Sequence, residues 1–278
     1  HFVEAQVTGF DLEQRLVKAN GTDIPYDYLL IATGPKVDFA SVPGLGPKQN
    51  SWSICNLEHA EETRHAWERF LQNPGPIVIG AAQGAACFGA AYEFLFNLRY
   101  QLKKHHLLDK APLTYVTAEP FLGHFGIGGL GNAKSLSETF FGMQGITWRT
   151  DATVQEVRPE SVVLGSGEVL PSRFTMIIPR FLGIDAIRNT PGLGNANGFI
   201  ETDDGYRHKQ YPEVYAAGVA VHVPPVGETA VPCGVPKTGY PSEVMAKTAA
   251  ANIAADIKGG ERKTMPFSMI HAYCIMDT

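Results

Sequence analysis

A strand, a turn of small residues and a helix follow one another within residues 76–104, and this feature constrains the fold most. Residues 76–79 are apolar, residues 80–84 read Gly-Ala-Ala-Gln-Gly, and a helical pattern then continues to about Lys104. A second apolar stretch at residues 113–117 reads as another strand. A strand, a helix and a strand in this order predict a βαβ unit, the start of a doubly wound parallel sheet.

The turn lacks the full glycine pattern of a dinucleotide-binding site. Such a site uses G-x-G-x-x-G, because glycine lets the backbone turn tightly and approach the pyrophosphate. Ala82 and Ala85 stand where glycine would be expected. The acid that holds the adenosine ribose should come about 20 residues on, but the nearest one at a second strand end, Glu119, comes 39 residues after Gly80. We therefore predict a nucleotide-type domain that no longer needs the nucleotide.

Strands and helices continue to alternate along the rest of the chain. Strands are predicted within residues 2–32, 147–170, 174–179 and 214–218, and helices at 58–71 and 241–258. The 278 residues are too many for one ordinary core and fit about two domains. The pattern predicts an α/β protein.

Charge and cysteine content exclude several classes of protein. The net charge is -5 and the basic residues are scattered, so no nucleic-acid surface is predicted. The four cysteines form no C-x-x-C pair and no Cys/His cluster with zinc-ligand spacing, so we expect no metal site. They are Cys55, Cys87, Cys233 and Cys274.

The most apolar segment, residues 77–96, is long enough to suggest a membrane span. Gln83, Glu93 and several glycines interrupt it, so a strand, a turn and a buried helix are the better interpretation. We expect no signal peptide, because no basic start leads into an apolar stretch.

Cys87 falls in the first turn of the helix predicted after Gly84. Exposed backbone amides and the helix dipole at such a position favour a thiolate, so we expect a lowered pKa for Cys87. The thiolate is the form that attacks sulfur. A small apolar residue packed into a tight helix start explains the same cysteine equally well.

Seven segments of the chain, taken in order, resemble those of sulfide:quinone oxidoreductases. The first, Ala32-Thr33-Gly34, looks like the strand end beside the flavin in flavoproteins with two dinucleotide-binding domains. The others lie at residues 53–60, 87–94, 120–129, 216–225, 234–240 and 274–277. Together they run across nearly the whole sequence, so the ordered set is more specific than any one motif.

The resemblance implies an α/β fold of two interleaved Rossmann-like, three-layer domains with FAD as the cofactor. Residues 1–47 and 172–278 would form part of the FAD-binding domain, and residues 48–171 an inserted second domain that carries Cys87. The family's first glycine-rich FAD motif is absent, so we expect the sequence to be the core of a longer protein. The residues expected to bind the cofactor are Ala32, Thr33, Gly34, Gly218, Lys237, Thr238 and Gly239.

The resemblance also implies that Cys87 and Cys274 form a redox pair. Sulfide would add to a disulfide or trisulfide bridge between them, and electrons would pass through FAD to a membrane quinone. Cys274 is expected on the flavin side and Cys87 in the sulfide pocket. Cys55 stands where some relatives have a cysteine near the flavin 8-methyl group, and Cys233 is expected to be structural.

Proton transfer would need further groups. Glu93 lies six residues after Cys87 on the predicted helix and is a candidate acceptor of the proton of hydrogen sulfide. His59 and His124 are candidates because imidazole titrates near neutral pH. A buried carboxylate and two structural histidines are the simpler interpretations. Lys237 and the amides before the last helix would stabilise negative charge on a reduced flavin.

The expected partners are sulfide and a quinone. The family's C-terminal amphipathic helices, which seat it on the membrane, are not in this sequence. Peripheral association with a prokaryotic inner membrane is therefore expected through other segments, and self-association is left open. Three alternatives remain: the flavoprotein subunit of a cytochrome c-linked sulfide dehydrogenase, a type II NADH dehydrogenase-like enzyme, and a non-catalytic nucleotide-binding module.

Overall fold

The computed structural model describes residues 1–271, which fall into two compact units. The first unit contains His1–Lys36, Leu182–Pro224 and the described residues from Lys237 onward. The second contains Val37–Phe181 and Pro225–Pro236. Each unit is thus assembled from separate stretches of chain, as expected for interleaved domains, while the domain boundaries expected at residues 47 and 172 stay a prediction.

Strands and helices alternate along the described chain, which confirms the predicted α/β class. In chain order the strands are β1 (Val7–Asp11), β2 (Leu16–Ala19), β3 (Thr22–Pro25), β4 (Leu29–Ile31), β5 (Pro35–Val37), β6 (Ile77–Ala81), β7 (Leu113–Thr117), β8 (Thr147–Arg149), β9 (Val154–Arg158), β10 (Ser161–Leu164), β11 (Val169–Pro171), β12 (Phe174–Ile178), β13 (Phe181–Gly183) and β14 (Val214–Ala216). The helices are α1 (Leu57–Phe70), α2 (Phe88–Lys104), α3 (Ala133–Met143), α4 (Asp185–Arg188) and α5 (Gly239–Lys258).

Two small sheets and α5 organise the first unit. The strands β1, β2 and β3 form an antiparallel sheet, and Asn20 and Gly21 turn the chain with φ of 48° and 78°, as an Asn-Gly hairpin requires. The strands β4 and β14 pair in parallel, with Ile31 opposite Ala216. Helix α5 buries Met245 in the same apolar core as these strands.

A four-stranded parallel sheet, ordered β12-β6-β7-β8, organises the second unit. Helix α2 follows β6 and buries Tyr92 and Leu95 in one core with Tyr115 of β7. Gly80 in β6 has no room for a side chain, because a Cβ there would lie 1.9 Å from the carbonyl oxygen of Val116. These elements confirm the predicted βαβ unit, and β9, β10 and β11 add an antiparallel sheet.

The apolar segment at residues 77–96 is therefore a strand, a turn and the first half of a helix, as predicted. Within residues 1–271, no helix has the length and apolar character that a membrane crossing requires.

Helix α3 was not predicted from the sequence. Phe141 is its one fully buried side chain, whereas Leu136 and Met143 are exposed. A helix with so narrow a buried face gives little of the periodic apolar pattern from which helices are recognised.

Candidate functional site

The carboxyl ends of β4 and β14 lie side by side, because the two strands are parallel neighbours. After β4 the chain continues through Ala32 and Thr33, which are exposed, to Gly34 at a φ of 69° with open space around it. After β14 it turns at Gly218 with a φ of 67°. Ligands of α/β sheets bind outside the carboxyl ends of the strands, so this edge is the candidate cofactor site of the first unit.

The N-terminus of α5 lies against the same edge. A Cβ at Gly218 would lie 3.1 Å from Ser242 Oγ in the first turn of α5, and the Gly218 amide donates to Met245 Sδ at 3.3 Å. Thr238 precedes the helix without a capping bond from its side chain, and Thr238 and Gly239 are both exposed. The helix dipole favours negative charge at this position.

Lys237 is held just before α5. Its Nζ donates to the carbonyl oxygen of Val221 at 2.9 Å and lies 4.7 Å from the centroid of the Phe199 ring. Burial lowers the pKa of the Lys237 amine to about 8. The lysine can therefore supply a positioned cation at neutral pH and lose it in moderately alkaline solution. The predicted cofactor residues of the first unit are thus brought together at one edge.

In the second unit, Cys87 is the residue immediately before α2 and does not lie within the first turn of the helix; its side chain makes no capping hydrogen bond. The turn before it packs on a separate segment of chain. The Gly84 amide donates to the carbonyl oxygen of Pro232 at 2.6 Å, and the Gly234 amide donates to that of Ala85 at 2.8 Å. Two backbone hydrogen bonds from a distant segment thus hold the turn that leads into α2. The expected lowering of the Cys87 pKa stays a prediction.

The groups that would hold a nucleotide at this turn are engaged within the protein. The Gln83 amide side chain accepts from the Val154 backbone amide at 3.0 Å and donates to the Val154 carbonyl at 3.1 Å. Glu119, the nearest acid at the next strand end, is 0% exposed. Its carboxylate accepts hydrogen bonds from Thr117 Oγ1 at 2.8 Å and Tyr92 Oη at 3.1 Å. It is therefore not directed at a ribose.

Glu93 lies half-buried on α2, one and a half turns or so beyond Cys87. Asn97 Nδ2 donates to both the backbone carbonyl and the carboxylate of Glu93, each at 3.0 Å. A carboxylate in this setting accepts protons and hydrogen bonds, as the proton-acceptor hypothesis needs.

Cys55 and His59 are linked through Ser53, which was not among the site residues predicted from the sequence. The Cys55 amide donates to Ser53 Oγ at 3.2 Å, and His59 Nδ1 lies 3.2 Å from the same oxygen. Asn56 caps α1 by accepting from the His59 amide at 2.8 Å. Burial raises the pKa of the Cys55 thiol. This arrangement could hold the imidazole in one orientation near Cys55.

His124 is 6% exposed, and its Nδ1 accepts from the Gly126 amide at 3.2 Å, so a neutral ring carries its proton on Nε2. Burial lowers the pKa of His124. A Cβ at Gly126 would lie 3.0 Å from the Phe88 ring, so the loop that carries His124 packs against the start of α2. His124 and Cys87 therefore belong to one region of the second unit.

Cys233 has the environment of a structural cysteine. It is buried, its Sγ donates to the Val231 carbonyl at 3.7 Å, and burial raises its pKa to about 11. Cys274 lies outside the described residues, so its predicted pairing with Cys87 stays a prediction. Among residues 1–271, no three His, Cys, Asp or Glu side chains are grouped to hold a metal ion.

Residues 2–234 match the family described as "Pyridine nucleotide-disulphide oxidoreductase". The chain is 38% identical to a "Sulfide-quinone reductase" of Aquifex aeolicus, over 99% of this chain and 65% of that protein. It is 24% identical to a mitochondrial sulfide:quinone oxidoreductase of Dictyostelium discoideum, over 80% of this chain and 50% of that protein.

The crystal structure of the Aquifex aeolicus sulfide:quinone oxidoreductase superposes with a TM-score of 0.89 at 39% identity. That match covers 93% of this chain and 61% of the Aquifex chain. The present chain thus spans between half and two thirds of the length of the relatives it matches.

Proposed function

The chain belongs to the pyridine nucleotide-disulphide oxidoreductase family, and from that membership we propose that it is the core of a flavoenzyme that oxidises sulfide and reduces a quinone. Proteins of this family are FAD-dependent flavoproteins. The observation that carries the proposal is the similarity to sulfide-quinone reductase along nearly the whole chain. The position of Cys87 at the start of α2 gives that similarity a chemical basis.

Several features of the first unit suit a bound FAD. The ends of β4 and β14 offer open space at Gly34 and exposed backbone at Ala32 and Thr33. FAD, when bound, supplies a two-electron carrier between the sulfur chemistry and the quinone. Gly218 lets the start of α5 approach the end of β14 closely, because a Cβ there would lie 3.1 Å from Ser242 Oγ.

Lys237 and the start of α5 would stabilise negative charge beside the cofactor. The Lys237 amine is already fixed by Val221 and Phe199, so little conformational entropy is lost when it acts. The amides near Thr238 and Gly239 add the positive end of a helix dipole. Both effects favour the reduced, anionic flavin over the oxidised flavin.

The sulfur chemistry of the proposal uses Cys87 and Cys274. Hydrosulfide attacks the Cys87 sulfur of a Cys87–Cys274 bridge, a new sulfur–sulfur bond forms at Cys87, and Cys274 leaves as a thiolate with the electron pair of the broken bond. The proton of hydrogen sulfide would pass to Glu93, His59 or His124. Cys55, which shares Ser53 with His59, would take part in holding the cofactor or in carrying sulfur.

Contacts in the second unit argue against the NADH dehydrogenase alternative. Gln83 and Glu119 stand at the two places where a dinucleotide would be held, and both bond to the protein itself. Among residues 1–271, no contact favours the cytochrome c-linked enzyme or the non-catalytic module. A quinone is a membrane-dissolved substrate, so we place the enzyme peripherally at a membrane, such as a prokaryotic inner membrane.

The proposal is tested by the visible absorbance of the flavin in the full-length protein under anaerobic conditions. Sulfide is expected to bleach the flavin band and a quinone to restore it, whereas NADH is expected to leave it unchanged. Bleaching by NADH and not by sulfide would overturn the proposal in favour of an NADH dehydrogenase. A protein without flavin absorbance would favour the non-catalytic module.

A further inference from the structure

The carboxyl group of Glu119 is a buried acid to which the proposed function gives no role. Glu119 follows β7 and is completely enclosed. Besides the two hydroxyl groups of Thr117 and Tyr92, its Oε1 accepts the backbone amide of Phe125 at 2.7 Å. Burying a carboxyl group is unfavourable unless neighbouring groups form hydrogen bonds with it. The three donors around Glu119 supply these hydrogen bonds.

The amide of Phe125 belongs to a loop with an unusual backbone, residues 123–129, which we call the glycine loop. Most of its residues have positive φ: Gly123, Phe125, Gly126, Gly128 and Gly129. Phe125 is the one of these with a side chain, and its φ of 53° is strained for such a residue. Its conformation therefore needs external support, which the hydrogen bond to Glu119 provides.

A second contact ties the same loop to α2. The Gly123 amide donates to Tyr92 Oη at 3.0 Å, and that hydroxyl in turn donates to Glu119 Oε2. The Phe125 ring also packs edge-on against Tyr92, with the ring centroids 5.2 Å apart. Glu119 is thus the acceptor at which the strand, the helix and the loop are joined.

The glycine loop is fitted closely into its surroundings. A Cβ at Gly126 would lie 2.1 Å from the carbonyl oxygen of Gly234 and 3.0 Å from the ring of Phe88, the residue after Cys87. A small displacement of the loop would therefore change the surroundings of the start of α2. It would also move His124, which lies within the loop.

We propose that Glu119 is a positioning residue whose carboxylate holds the glycine loop, with His124, against the start of the helix that follows Cys87. The inference rests on the proposed function for its link to sulfide oxidation. Local opening of the loop leaves the Glu119 carboxyl buried, and a hydrogen bond to an ionised carboxylate is about twice as strong as one to a neutral acceptor. The ionised form therefore resists this local opening more firmly, even though ionising the buried carboxyl makes the whole fold less stable relative to the unfolded chain. The strength with which Glu119 binds the glycine loop should therefore depend on pH.

Titratable residues from several elements lie around Glu119. They are Tyr92 from α2, Tyr115 from β7, His124 from the loop, Cys233 from residues 225–236, and Asp151 after β8, whose amide donates to the Glu119 carbonyl. Burial raises the pKa values of the two tyrosines and of Cys233, so these groups stay neutral at neutral pH. Burial also raises the pKa of Glu119 to about 7, so this carboxyl changes its charge in the neutral range.

The test measures amide hydrogen exchange of the glycine loop in the full-length flavoprotein, corrected for the intrinsic effect of pH. In the wild type, protection of the Phe125 and Gly123 amides should rise about fivefold as pH increases through about 7. In Glu119→Gln, which keeps the shape but cannot ionise, protection should stay at the low-pH level throughout.

Thr117→Val is the matched control. Thr117 donates to the same carboxylate but has no bond to the loop, so the rise in protection should persist, with its midpoint shifted upward. If Glu119→Gln does not fold, Tyr92→Phe replaces it and should lose protection at Gly123. Equal protection of wild type and Glu119→Gln at every pH would overturn the proposal.

The second readout is the rate at which sulfide reduces the flavin. Glu119→Gln should lower this rate about fivefold above pH 7, with the difference disappearing at lower pH. If exchange behaves as expected but sulfide reduces the flavin in neither protein, the proposed function fails and the positioning of the loop stands. If sulfide reduces both equally at all pH values, the role in the reaction is overturned.

Discussion

The side chain of Gln83 and the backbone of Val154 are joined by two hydrogen bonds, of 3.0 and 3.1 Å, in the pattern that one strand makes with another. Gln83 lies in the turn after β6, the place where the backbone of a dinucleotide-binding protein approaches the pyrophosphate. A turn whose middle residue is bonded in this way has little freedom to rearrange around a ligand.

The first prediction follows from this pair of bonds. NADH should show no saturable binding to the full-length protein at submillimolar concentration, and Gln83→Ala should not create it. The variant should instead lose about 1–2 kcal/mol of unfolding free energy, because two bonds to Val154 are lost. Calorimetric titration and denaturant unfolding measure the two effects, and tight NADH binding by the wild type would contradict the interpretation.

The second prediction concerns Lys237. Lys237→Met removes the cation beside the proposed flavin site and should make the flavin midpoint potential more negative by ~30 mV at neutral pH, which is about 1.4 kcal/mol for two electrons. The difference from wild type should shrink as pH rises through about 8, where the Lys237 amine loses its proton.

Lys209→Met serves as the control for Lys237, because Lys209 is an exposed lysine of the same unit that pairs with Glu201 at 3.0 Å. Spectroelectrochemistry should find its flavin potential equal to that of the wild type. Equal shifts in the two variants would mean that Lys237 acts only through the overall charge of the protein.

The third prediction compares two glycines of the second unit. Gly126 and Gly145 both have positive φ, of 72° and 67°, so alanine is strained at either position. A Cβ at Gly126 would also overlap the Gly234 carbonyl, whereas a Cβ at Gly145 would meet nothing within 4 Å. Gly126→Ala should lower the free energy of unfolding by about 2 kcal/mol more than Gly145→Ala does. Denaturant unfolding measures the difference. Equal losses would show that the glycine loop is not closely packed.

The fourth prediction is a pH dependence of stability. The Glu119 carboxyl has a pKa of about 7 in the folded protein, above its ordinary value of 4.5. Between these values the folded protein binds more protons than the unfolded chain, so the contribution of Glu119 to stability is complete below pH 4.5 and is lost as pH rises through about 7. Burial is the main cause of the shift.

The change should be on the order of 3 kcal/mol between these two limits. It is measured as the difference in unfolding free energy between wild type and Glu119→Gln as a function of pH, since the variant lacks the titrating group. A difference that increases with pH in favour of the wild type would contradict the assigned direction.

The sequence predicted those features that depend on local signals. The βαβ unit follows from two apolar stretches around small residues, and the end of α5 follows from Gly259, which has a φ of 70° at the predicted stop. The strands that end at Gly34 and Gly218 were predicted from local signals, whereas their assignment to the cofactor came from the family resemblance.

Features that depend on contacts between distant parts of the chain were not predictable from such signals. Ser53 was not selected as a site residue, although it links Cys55 to His59, because a serine at the start of segment 53–60 does not itself indicate these contacts. The interaction of Glu119 with Phe125 likewise depends on a loop whose shape the sequence does not specify.

The place of Cys87 was predicted to within one residue. It lies immediately before α2, and the turn that precedes the helix is bonded to Gly234, far along the chain. Helix ends are the least predictable part of an element, since tertiary contacts shift them by a residue or two.

The proposed oxidation of sulfide depends most on Cys87 and Cys274, which are proposed to carry the sulfur chemistry. Sulfide-dependent reduction of a soluble quinone analogue by full-length protein tests it most directly, with Cys233→Ala as the control because Cys233 is buried and its pKa is raised to about 11. We expect Cys233→Ala to retain activity, and Cys87→Ala and Cys274→Ala each to lose about 100-fold or more, which is about 2.7 kcal/mol in the barrier. Near wild-type rates in both of the latter variants, with the flavin still bound, would contradict the account.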